Sequence, residues 1–200
     1  MFQLEFQNVI VDHNPNVGQD LFPEIEKAYT HHSRHYHTLA HLDQLVSELK
    51  PLRDQFSCWP TVVFAIAYHD FVYNATRKDN EEKSAAFAAA RLKQIAFPES
   101  EIERCLAFIN ATKKHQPVNR EVDLFTDADL SILGATPGRY QNYAAEVRKE
   151  YSVYPDLLYK PGRKKVLLHF LAMNRIYKTN EFYEKYEVRA RINMESELHL

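Results

Sequence analysis

Three short stretches of the sequence each carry a pair of residues that commonly bind metal ions. The pairs are His37 with His41, His69 with Asp70, and Asp127 with Asp129. Imidazole nitrogens and carboxylate oxygens together bind divalent ions such as Mn, Fe, Co, Ni and Zn. A site that keeps coordination positions open can lower the pKa of a bound water and use that water for hydrolysis. The sequence therefore predicts a metal centre, provided that folding brings the three pairs together.

The pair His69-Asp70 gives the strongest physical argument for a cation. It lies in the segment Thr61 to Tyr73, TVVFAIAYHDFVY, where nearly every other side chain is apolar. Burying an ionised carboxylate there costs several kcal/mol unless a cation pairs with it. A metal ion would serve, and it would also use the neutral imidazole of His69. An arginine or lysine from another segment is the alternative, which describes a purely structural helical bundle with a buried His-Asp network.

The other two pairs leave a choice of residue open. His37 and His41 lie four residues apart on a predicted helix from Tyr36 to Leu49, so both would face the same way. Asp127 and Asp129 lie two residues apart on another predicted helix and point in roughly opposite directions, so one of them would enter the site. Apolar residues flank both aspartates, and the helix dipole alone would favour acids at these positions.

The order of these residues resembles the HD superfamily of metal-dependent phosphohydrolases. Four elements look like the bacterial branch described as predicted HD phosphohydrolases, over a stretch from Arg34 to Tyr177. They are RHYHTLAH from Arg34 to His41, YHD from Tyr68 to Asp70, DNE from Asp79 to Glu81 with Ser84, and DADL from Asp127 to Leu130 with Leu133-Gly134. The resemblance implies a helical bundle of the HD-domain type.

The resemblance also implies a role for each matching residue. The implied metal ligands are His41, His69, Asp70 and Asp127. Asp127 is preferred to Asp129 because the family's motif ligates through its first aspartate. Asp70 would also orient the attacking water or accept its proton, and Glu81 would act as a separate acid or base. The groups expected to contact the substrate phosphate are Arg34, His37, Thr112 and His115.

These roles imply a metal-dependent hydrolase that cleaves a phosphate ester or anhydride of a nucleotide or of a small phosphorylated metabolite. The implied cofactor is a divalent ion, Mg included, and the implied partner is the small-molecule substrate. The alternative is a regulatory protein of the same type that binds a metal or a nucleotide without turnover, because ligation and catalysis use the same residues.

The elements that must position these residues read as helices. Apolar periodicity and turn signals predict helices over 36–49, 61–73, 80–96, 98–112, 122–133, 139–151 and 163–177. Breaks are expected at Asn14-Pro15, from Pro51 to Pro60, at Gln116-Pro117, from Gly134 to Gly138 and from Pro155 to Gly162. The sequence therefore predicts an all-α protein whose residues 1–200 form a single helical domain.

Composition limits the classes of partner. The chain has 200 residues, of which 45% are hydrophobic, and a formal net charge of -2. This balance gives no reason to expect a nucleic-acid polymer or a membrane as partner. Met1 to Asn16 is too polar for a signal peptide, and Cys58 and Cys105 lie far apart, so a cytoplasmic protein is expected. The sequence leaves the oligomeric state open, a homodimer included.

Overall fold

The computed structural model of the chain describes residues 1–13 and 21–199, except for the side chains of residues 12 and 13. These residues form ten α-helices and two short 3₁₀ helices, and no strand occurs among them. The predicted all-α fold is therefore confirmed. The break expected at Asn14-Pro15 lies outside the described residues. The helices group into two compact units, Met1–Thr126 and Asp127–Leu200.

The first unit is built around a fully buried helix. Its helices are α1 (Phe2–His13), α2 (Leu21–Tyr29), α3 (Leu39–Leu49), α4 (Trp59–Tyr68), α5 (Asn80–Gln94), α6 (Glu99–Ala111) and most of α7 (Arg120–Asp129), with a 3₁₀ helix at Lys50–Gln55. All residues of α4 from Thr61 to Tyr68 are buried, and α1, α3, α5 and α6 pack against this helix. A sequence that is apolar all round forms such a central helix because it has no polar face to present to water.

The second unit begins with the end of α7. It continues through a 3₁₀ helix at Leu130–Gly134, α8 (Pro137–Glu150), α9 (Asp156–Leu171) and α10 (Asn180–Leu198). Helix α10 packs against the 3₁₀ helix and against α9. The expected break from Pro155 to Gly162 is wrong, because α9 runs through Pro161. Pro161 is exposed, so water can bond the carbonyl group that its missing N–H leaves free.

Two of the helix boundaries that differ from the prediction fall beside predicted metal ligands. Helix α3 starts at Leu39 because Thr38 adopts an extended backbone as its N-cap, so His37 precedes the helix that carries His41. Helix α4 ends at Tyr68 with His69 as its C-cap, so Asp70 lies in the turn that follows. The predicted ligands on these two segments therefore lie at the ends of helices and not on the faces of helices.

Gly134 of the second unit lies so close to α10 that a larger residue at this position must displace the helix. A Cβ atom added there would come within 2.6 Å of the Cβ atom and 2.7 Å of the backbone oxygen of Tyr186. We expect Gly134→Ala to destabilise the protein by about 1–3 kcal/mol, because the backbone has to move. Gly138→Ala on α8 is the matched control, since nothing lies within 4 Å of its added Cβ. Thermal unfolding that responds equally to both substitutions would contradict this interpretation.

Two expectations from composition can be compared with the structure. Cys105 is fully buried, and burial raises the pKa of its thiol, so this side chain acts as a small apolar group. Cys58 is half-buried. Among the described residues, no helix is both long and apolar enough to cross a membrane.

Candidate metal centre

Two helix ends bring His41 and His69 together inside the first unit. His41 lies in the first turn of α3, and His69 caps the C-terminal end of α4. Their exposed fractions are 2% and 1%. The Nε2 atoms of the two imidazoles lie 3.1 Å apart. A pair of buried imidazoles at this separation either shares a proton or directs two lone pairs at one cation.

The carboxylate of Asp70 completes a group of three potential ligand atoms. Its Oδ2 atom lies 3.1 Å from Nε2 of His69 and 4.0 Å from Nε2 of His41. The circle through these three atoms has a radius of about 2.0 Å, which is the length of a metal–nitrogen or metal–oxygen bond. One point in space is therefore at bonding distance from all three atoms. These three residues could therefore hold a divalent ion.

The backbone of α4 fixes the chemical form of His69. Its Nδ1 atom lies 3.0 Å from the carbonyl oxygen of Ile66, and because a carbonyl can only accept, Nδ1 carries the proton and donates it. In the neutral imidazole the lone pair is then on Nε2, which faces His41 and Asp70. Metal-binding histidines are commonly held in this way by a hydrogen bond from the other ring nitrogen.

His37 lies beside the same carboxylate on the more open side of the group. Its Nε2 atom is 3.7 Å from Oδ2 of Asp70, and 19% of its side chain is exposed. The ring of Tyr73 packs against the His37 imidazole, with 4.3 Å between the ring centres. Since His37 precedes α3, the predicted shared helix face of His37 and His41 is wrong, although both imidazoles approach Asp70.

Helix α7 reaches this region through Phe125, whose ring centre lies 6.1 Å from that of His69. The choice between Asp127 and Asp129, which both belong to the second unit, stays a prediction.

The carboxylate of Asp127 is occupied inside the second unit. It is fully buried, and it accepts hydrogen bonds from the N–H of Lys178 at 3.0 Å, the N–H of Thr179 at 2.7 Å and the hydroxyl of Thr179 at 2.8 Å. The ammonium of Lys178 adds an ion pair at 2.8 Å. These donors use both carboxylate oxygens. This side chain therefore anchors the segment before α10, and its assignment as the last metal ligand stays a prediction.

The predicted phosphate contacts have structural partners of their own. Arg34 donates to the backbone carbonyls of His37 and Phe71, and the hydroxyl of Thr112 donates to the carbonyl of Ile109 at 2.8 Å. Glu81 lies in the first turn of α5, where the helix dipole favours an acid. The role of Glu81 as an acid or base stays a prediction.

Comparisons of the chain with protein families, with curated proteins and with solved structures give no match. The grounds for a function are therefore the geometry of His41, His69 and Asp70 and the resemblance of the motifs.

Proposed function

We propose that the protein is a metal-dependent phosphohydrolase that cleaves a phosphate ester or anhydride of a nucleotide or a small phosphorylated metabolite. The observation that carries the proposal is the point about 2.0 Å from His41, His69 and Asp70. The order of these residues in the chain supports a phosphohydrolase among the hydrolases that use a metal.

The residues of this chain supply distinct parts of the reaction. A bound divalent ion would lower the pKa of a water and polarise a phosphoryl oxygen. His41 and His69 would hold that ion as neutral ligands, and Asp70 would also orient the water or accept its proton. His37 lies 3.7 Å from the Asp70 carboxylate on the side that is open to solvent. It is therefore proposed to meet the substrate phosphate or to pass the proton to solvent.

The test is a hydrolysis assay on protein that has been stripped with a chelator and reloaded with Mn, Co, Ni, Mg or Zn. The substrates are nucleoside mono-, di- and triphosphates, sugar phosphates and an aryl phosphate, and the readout is released phosphate. Hydrolysis that depends on the added ion would support the proposal. A tightly held ion with no turnover of any substrate would point instead to a metal- or nucleotide-binding regulatory protein. Absence of binding of any ion would contradict the hydrolase and a metal-binding regulatory protein alike.

The predicted contact of the His115 imidazole with the substrate can be tested separately from the backbone conformation of this residue. His115 has a left-handed backbone with φ of 51°, and its N–H donates to the carbonyl of Ala111 at 2.9 Å, as at many helix ends. Glycine adopts this conformation without strain. His115→Gly therefore removes the imidazole while it keeps or slightly raises stability. If the imidazole contacts the phosphate, KM should rise by about tenfold, the loss expected from one contact worth about 1.4 kcal/mol.

Ala96→Gly is the matched control for His115→Gly. Ala96 has φ of 56° at the end of α5, where glycine should again relieve strain and raise stability by up to about 1 kcal/mol. The KM of the Ala96→Gly variant should match that of the wild type. If both variants keep the wild-type KM, His115 does not contact the substrate.

A further inference from the structure

Arg34 ties together the two chain segments that carry the ligands of the proposed site. One amino group of its guanidinium donates to the carbonyl of His37 at 3.2 Å, and the other donates to the carbonyl of Phe71 at 2.8 Å. His37 lies four residues before His41, and Phe71 directly follows Asp70. A single planar group therefore connects the start of α3 to the turn after α4.

The surroundings of Arg34 make this connection rigid. Its side chain is buried, and the guanidinium carbon lies 4.6 Å from the ring centre of Tyr29 and 5.4 Å from that of Tyr73. Tyr73 in turn packs against the imidazole of His37. Aromatic contacts restrain the guanidinium plane, and the two hydrogen bonds restrain its rotation within that plane. The two hydrogen bonds account for two of the five N–H donors of the guanidinium, and the predicted phosphate contact stays a prediction.

We propose that Arg34 is a positioning residue that sets the distance between His41 and Asp70 and thereby the coordination geometry of the metal centre. This inference depends on the proposed function. The 4.0 Å between His41 Nε2 and Asp70 Oδ2 suits ligands on nearly opposite sides of a six-coordinate ion. A tetrahedral ion would draw the same two atoms to about 3.3 Å. Arg34 opposes that contraction because it fixes the backbone on either side.

Lysine at position 34 keeps the positive charge, but it lacks the planar guanidinium whose two amino groups donate to two carbonyls. Substitutions that disturb the support of metal ligands commonly weaken metal affinity by 10–100-fold. In Arg34→Lys we expect Mn²⁺ affinity to fall by about that factor. Zn²⁺ affinity should fall less, because the relaxed segments can close to the tetrahedral distance. The ratio of Zn²⁺ to Mn²⁺ affinity should therefore rise by about tenfold.

The experiment measures dissociation constants for Mn²⁺ and Zn²⁺ by titration calorimetry on the wild type, Arg34→Lys and Arg53→Lys. Arg53 is 60% exposed, so its lysine variant should keep both constants. A purely structural role for Arg34 would lower the folded fraction and weaken both ions by the same factor. An unchanged Zn²⁺ to Mn²⁺ ratio in Arg34→Lys would therefore overturn the inference, even if the variant is unstable. If the wild type binds neither ion, the proposed function fails and the inference fails with it.

Discussion

Asp70→Ala is expected to abolish tight binding of a divalent ion and, with it, phosphate release. Asp70 supplies the charged member of the three atoms that surround the proposed ion position, at 3.1 and 4.0 Å from the two imidazole nitrogens. Without it, two neutral imidazoles remain and the carboxylate of the group is lost. We expect metal affinity to fall by at least about 100-fold, more than the 10–100-fold typical for residues that only support a ligand.

The measurement pairs metal titration with the hydrolysis assay, and Asp54→Ala serves as control. The Asp54 side chain is fully exposed, so its removal should change neither affinity nor rate. Asp70 is 17% exposed at the side-chain level, and its loss should leave the helical fold intact. If Asp70→Ala binds the ion normally but does not turn over, Asp70 is an acid or base and not a ligand. If both properties persist, the proposed centre is wrong.

The central part of the site was predictable because its constraints are local in the sequence. An aspartate that follows an apolar run needs a cation, so the sequence alone indicates a cation beside Asp70. The structure places that carboxylate beside two imidazoles, one from the same segment and one from α3. The choice of His41 over His37 needed the family resemblance, because spacing treats the two histidines alike. The start of α3 at Leu39 distinguishes them in the structure.

The remaining parts of the site depend on partners that lie far away in the sequence. Arg34 looked like a free cation because its acceptors are backbone carbonyls, which every residue carries. Asp127 looked as buried as Asp129, and nothing near it in the sequence indicated that Lys178 and Thr179, about 50 residues later, would use its oxygens. Apolar periodicity indicates which residues share a helix face, but it does not indicate which other segment of the chain packs against that face.

The helix boundaries show the same limit. The buried helix α4 was predicted, but its end was placed too late because Phe71 to Tyr73 continue the apolar pattern. The chain leaves the helix at Tyr68, and the turn that follows is held by Ser84, whose hydroxyl accepts from the N–H of Val72 at 3.0 Å. Ser84 belongs to the motif that carries the family resemblance. Its contact gives a physical reason for a serine at that position.

Asp127→Ala is expected to destabilise the protein strongly while it leaves the metal centre's ligands in place. The substitution would leave the ammonium of Lys178, now 2.8 Å from the carboxylate, without its counter-charge, and two backbone N–H groups without acceptors. Breaking a buried ion pair from one side commonly costs 3–5 kcal/mol. For a chain of this length the midpoint of thermal unfolding should fall by roughly 10 °C.

Asp54→Ala serves as the control here as well, because its side chain is fully exposed and its removal should change neither the unfolding temperature nor the metal affinity. Thermal unfolding of the metal-free variants measures the stability, and metal titration at a temperature where Asp127→Ala is folded measures the affinity. If Asp127→Ala keeps its stability and loses the ion, Asp127 is the ligand that the family resemblance implies, and its contacts with Lys178 and Thr179 contribute little to stability.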